Sequence, residues 1–147
     1  MRNYLVAVSM LLSFCTSALA GPAEDAMQVV ERWAKAFTDA DVETIINLYD
    51  PDAPFLGTGS KTVVTNPAEV RKYFEGALLN DRPRTAKVLA HNTVVVSDTT
   101  VVITGLDLVT GTRAGALTNS YGRFTFVLAK RANSWKIAHF HRSAVPA

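Results

Sequence analysis

The segment Trp135-Lys136-Ile137-Ala138-His139-Phe140-His141-Arg142-Ser143 constrains the chain most, because it sets a guanidinium into a run of strand-forming apolar residues. Side chains of a regular strand alternate between faces. Trp135, Ile137, His139 and His141 are therefore expected on one side, with Ala138, Phe140 and Arg142 on the other. Large apolar groups on both faces predict a central strand covered on two sides. Arg142 then lies against the core, where a charge without a partner is strongly destabilising. Its counter-ion is either a carboxylate of the chain, with Asp107 and Asp50 as candidates, or a bound anion.

The N-terminus carries a different signal. Arg2 precedes an uncharged, mostly apolar run from Leu5 to Phe14, and Ser17-Ala18-Leu19-Ala20 supplies the small residues of a cleavage site. This pattern predicts a signal peptide over residues 1–20 and a mature domain over residues 21–147, periplasmic or secreted. The run is too short to span a bilayer, so no membrane association is expected after cleavage. Phe14 stands where a lipoprotein signal needs a small residue before Cys15, which argues against a lipid anchor. Cys15 is also the single cysteine, so the mature domain has no disulfide framework and must be held by packing. A hydrophobic content of 48% in 147 residues suits one domain with a full core. The 15 basic residues, one of them in the leader, nearly balance 13 acidic ones and form no stripe, so a nucleic-acid partner is not expected.

From Glu24 to Asp39, Ala26, Met27, Val30, Trp33, Ala34 and Phe37 recur at three-and-four spacing and predict an amphipathic helix. Asp41 is placed to cap a short second helix carrying Val42, Ile45, Ile46 and Tyr49, which ends at Asp50-Pro51. Ala53–Gly57 and Lys61–Thr65 read as short strands around Gly57-Thr58-Gly59. Asn66-Pro67-Ala68-Glu69 opens a third helix that runs to about Leu79. Beyond Pro83 the pattern turns extended, with long strands expected over Val88–Ser97, Thr100–Thr110, Leu117–Lys130 and Trp135–Ser143. Helices followed by antiparallel strands predict an α+β domain with helices on one face of a curved sheet.

This order of elements and the terminal segment together resemble the cone-shaped nuclear-transport-factor-2-like fold. Within it, the chain is similar to the association (hub) domain of calcium/calmodulin-dependent protein kinase II, whose last strand reads Trp-Gln-Ile-Val-His-Phe-His-Arg-Ser, and to its stand-alone bacterial SgcJ/EcaC and SnoaL-like relatives. Asp41-Val42-Glu43-Thr44, Asp50-Pro51 and Tyr73-Phe74-Glu75 add to the likeness. The resemblance implies a pocket between helices and concave sheet lined by Arg142, a small carboxylate or other anion as ligand, and assembly into a homodimer or larger homo-oligomer. Hub domains carry a second pocket arginine in the preceding strand. Counting back from the tryptophan puts Phe126 there, while Arg123 lies three residues earlier and falls on the opposite face of a regular strand. Bacterial relatives tend to have an arginine at the position of Arg123, which keeps it as a secondary candidate. No glycine-rich phosphate loop, Val-Ala-Ile-Lys strand or Asp-Phe-Gly is present, so kinase activity is not implied.

The candidate ligand-binding residues are thus Arg142, Arg123, Tyr49, Phe55 and Phe140. Phe74 and Tyr121 are further aromatics able to line a cavity, although aromatics at such spacings also serve as simple core. His139 and His141 share a strand face without a third metal ligand at a recognisable spacing, so no metal site and no cofactor is expected. Gly57-Thr58-Gly59 is too short for a dinucleotide fingerprint and reads as a turn. Two other functional classes fit the same fold. An isomerase- or cyclase-like enzyme would use Asp107 as base, with Tyr49 or Tyr121 as oxyanion donor; a structural module would only assemble.

Overall fold

The computed structural model of the chain describes residues 21–79 and 82–146; the expected leader over residues 1–20 lies outside them. Helix α1, Pro22–Asp39, buries Ala26, Val29, Val30, Trp33, Ala36 and Phe37 along one face. It stops at Ala40, whose left-handed backbone (φ 57°) turns the N–H back to the carbonyls of Ala36 and Phe37. Helix α2, Val42–Leu48, starts where the Asp41 carboxylate accepts the Thr44 N–H at 2.9 Å. Helix α3, Pro67–Leu78, starts where the Asn66 side chain accepts the Ala68 N–H at 2.8 Å and proline fills the first turn. Val70, Phe74 and Leu78 form its buried face.

Five strands make one sheet: β1 (Phe55–Leu56), β2 (Thr85–Ser97), β3 (Thr100–Arg113), β4 (Ala116–Arg131) and β5 (Ser134–Ala144), in the order β1-β5-β4-β3-β2. Strand β1 runs parallel to β5, pairing Phe55 with Phe140, and the other neighbours are antiparallel. The expected strand over Lys61–Thr65 does not form. Its residues are exposed apart from a half-buried Val64, which makes a lone bridge to Phe55, so no apolar face holds the segment in a ladder.

The last strand corrects the expectation of two-sided cover. Val127 pairs with His139 but Leu128 pairs with Ile137, which leaves Ala138 as an extra residue in β5. A bulge of this kind shifts the alternation by one. Trp135 and Ile137 before it, and Phe140 and Arg142 after it, therefore share the buried face, while His141 is exposed and Lys136, Ala138 and His139 are half-buried. The two apolar faces read from the sequence are one face, displaced. Helices cover only this side, and the outer side carries Leu106 and Tyr121, each about half exposed. Among the described residues no helix is long and apolar enough to cross a membrane.

Candidate ligand-binding site

The bulge aims Arg142 inward at the strand's end, in register with Phe124 of β4. Two strands away, Asp107 of β3 also faces in, between buried Ile103 and Val109, and lies opposite Gly122 of β4. Glycine at this crossing leaves room for the side chains to meet above the strand. Arg142 Nε donates to Oδ1 and Oδ2 of Asp107 at 3.0 and 2.8 Å, and Nη2 donates to Oδ1 at 2.7 Å. Nη2 also reaches the Ser120 carbonyl at 2.8 Å, and Nη1 the Thr58 hydroxyl at 2.7 Å. Both members are buried, Arg142 at 8% and Asp107 at 5% exposure, so the pair is charge-neutral, bidentate and sheltered from screening. Of the two carboxylates that the sequence offers Arg142, Asp107 is the partner; Asp50 accepts instead from Arg131 Nε at 2.7 Å.

Beside the pair lies a cavity of about 390 Å³. Helix α1 contributes Trp33 and Phe37 to its wall, α3 contributes Tyr73, Phe74 and Ala77, and the turn after β1 contributes Thr58 and Gly59. From the sheet come Val109, Ser120, Phe140 and Arg142, and Arg84 closes the lining just before β2. The wall is rigid because its aromatics interlock: Trp33 lies 5.3 Å from Phe140 and 6.1 Å from Phe74 between ring centroids, and Phe126 braces Phe140 from behind at 4.7 Å. Gly57 lets Tyr73 pack in, since a β-carbon there would stand 2.4 Å from the phenol oxygen.

Arg142, Phe140 and Phe74 line the cavity. Phe55 is fully buried core, stacked on Phe140 at 5.4 Å. Tyr49 is buried outside this wall, its hydroxyl accepting the Trp33 indole N–H at 3.1 Å. Burial pushes the Tyr49 phenol well above its ordinary range, offset in part by the Trp33 hydrogen bond. Arg123 requires correction: the β4 register runs without a bulge from Arg123 to Val127, which leaves Arg123 exposed on the outer face and away from the cone. Tyr121 lies on that outer face too. Asp107 is not part of the cavity wall, and Arg142 donates to both of its oxygens. Among the described residues, no three of His, Cys, Asp and Glu are grouped to hold a metal.

Trp33 and Phe37 read from the sequence as helix core, and the candidate residues do not include Arg84. A helix face that lines a cavity has the same periodicity as one that fills it, so nothing in α1 separates the two cases. Arg84 did carry a signal: it is a cation in Arg82-Pro83-Arg84, at the point where the chain enters its first long strand.

Residues 26–147 match the SnoaL-like domain family. Among solved structures, the chain is similar to a protein from Xanthomonas campestris described as a calcium/calmodulin dependent protein kinase II association domain, with 26% identity and a TM-score of 0.77 over 92% of this chain and 99% of that one. It is also similar to a nuclear transport factor 2-like superfamily protein from Salmonella enterica, with 21% identity and a TM-score of 0.75 over 86% of this chain and 92% of that one. A third similar structure is a ketosteroid isomerase-like protein from Erwinia carotovora atroseptica, with 18% identity and a TM-score of 0.72 over 85% of this chain and 97% of that one. No curated protein matches the chain in sequence.

Proposed function

Because this chain belongs to the SnoaL-like domain family and has the cone fold of nuclear-transport-factor-2-like proteins, we propose that it is an exported receptor for a small anionic molecule, a carboxylate in the first instance, held in the cone beside Arg142. The observation that carries this reading is an aromatic-walled cavity of about 390 Å³ with a fixed guanidinium in its wall. The volume lies in the range of small-molecule sites, and a few convergent polar groups in an apolar wall are their usual composition. Asp107, Ser120 and Thr58 hold Arg142 from three sides, so little side-chain freedom is left to lose on binding. Thr58 is the one partner of Nη1 among the described residues, which leaves its second hydrogen for a ligand.

General-base chemistry through Asp107 has less support, because both carboxylate oxygens accept from Arg142 and the residue stands outside the wall. Self-association through the outer sheet face completes the proposal, supported by the exposed Leu106 and Tyr121 there. Export rests on the leader pattern of residues 1–20.

Thermal unfolding with acetate, benzoate or phenylacetate, each against chloride at equal ionic strength, tests the binding reading. A carboxylate should raise Tm, and Ala77→Trp, which fills the cavity and leaves both arginines in place, should remove the rise. Indifference of the unsubstituted protein to every carboxylate would overturn it.

A further inference from the structure

The cavity wall contains two guanidinium groups in opposite electrostatic situations. Arg142 uses its Nε/Nη2 edge to grip Asp107, so its charge is already matched within the fold. Arg84 has no carboxylate partner among the described residues. Its Nη1 donates to the carbonyl of Ala77 at 2.5 Å, near the end of α3, and its Cζ lies 5.9 Å from the Phe37 ring centroid. Those contacts fix the side chain without neutralising it. Its Nε is buried and has no hydrogen-bond partner among the described residues. Arg84 thus holds no carboxylate among the described residues, and it lines the same cavity.

We propose that Arg84 is the charge-bearing ligand contact of this protein and that the ligand is a compact aromatic carboxylate. Its carboxylate pairs with the Arg84 guanidinium, and its ring lies among Trp33, Phe37 and Phe74. Three features select this class. A carboxylate matches the planar fork of a guanidinium with two parallel hydrogen bonds and supplies the counter-charge that Arg84 lacks among the described residues. The aromatic wall offers edge and face contacts to a ring, which a short aliphatic acid uses poorly. A neutral analogue of the same shape leaves the half-buried cation uncompensated, so the site discriminates by charge.

This inference rests on the cone being a binding site, and the experiment separates the two claims. Isothermal titration of phenylacetate and of its neutral isostere phenylacetamide is carried out on the unsubstituted protein, Arg84→Gln and Arg84→Lys, each first checked by thermal unfolding without probe. The unsubstituted protein should prefer the acid. Arg84→Gln should weaken phenylacetate about tenfold or more while leaving phenylacetamide unchanged. Arg84→Lys keeps the charge, loses the fork and should fall between; it carries the test if the glutamine variant does not fold. Undiminished phenylacetate binding in the folded variants would remove Arg84 from the site and leave the cone reading standing. Carboxylate-induced thermal shifts without phenylacetate binding would overturn the aromatic ligand class. Absence of both would overturn the two readings together.

Discussion

Arg142 reaches across Gly122 to Asp107: a β-carbon on Gly122 would stand 2.4 Å from Nη2 of Arg142 and 2.4 Å from Oδ1 of Asp107. Backbone conformation does not demand glycine here; the pair above it does. Gly122→Ala should therefore cost about 1–3 kcal/mol through overpacking, read as a fall of several degrees in Tm. An alanine variant as stable as the parent would mean that the pair relaxes freely, and the rigidity claimed for Arg142 would go with it.

Asp107→Asn leaves a buried guanidinium without its counter-charge and should destabilise the fold by about 3–5 kcal/mol in urea unfolding. Replacing both members together, Asp107→Leu with Arg142→Met, should recover most of that loss, because the desolvation penalty disappears with the charges. A double variant as unstable as the single one would show that the pair's polar contacts to Ser120 and Thr58, rather than charge compensation, hold this corner.

Tyr49 gives the fold an alkaline limit. Its phenol is held well above the ordinary value of 10.0 by burial, so the native state keeps a proton that the unfolded chain releases. This contribution is fully present below pH about 10 and is lost as pH rises from there towards the native value, at up to about 1.4 kcal/mol per pH unit. Tyr49→Phe should flatten stability against pH in that window, at a cost of about 1 kcal/mol at neutral pH from the orphaned Trp33 indole N–H. An unchanged alkaline slope in Tyr49→Phe would assign the limit to another group.

If the outer sheet face is the assembly surface, a lysine at Leu106 or Tyr121 should lower the mass found by light scattering and leave the thermal unfolding of the protomer within about 0.5 kcal/mol. A mass unaffected by either lysine would move the interface elsewhere, and a parent protein that is monomeric at all concentrations would exclude assembly.

The helices were legible because their signals are local. Asp41 and Asn66 cap where their side chains can reach an N–H two or three residues on, and the Trp33 and Phe37 spacing closes on itself within one helix. The β5 face assignment failed at Ala138, because a bulge depends on what the neighbouring strand can pair with and leaves no mark in composition. Arg123 could be placed only once β4 was known to run without such a bulge.

The chain's own residues determined the element order, the single core, and the requirement that a guanidinium set so close to hydrocarbon find an anion. Burial cost depends on residue type and local pattern, which a sequence carries in full. Tertiary structure decided which anion that would be, and so which arginine of the cavity wall has no carboxylate partner among the described residues. Asp107 reaches Arg142 across two strand pairings and a gap kept open by Gly122, whereas Arg84 meets a helix carbonyl and an aromatic ring among the described residues. Charge compensation works over a few ångströms, and only the folded sheet sets those distances between residues far apart in the chain.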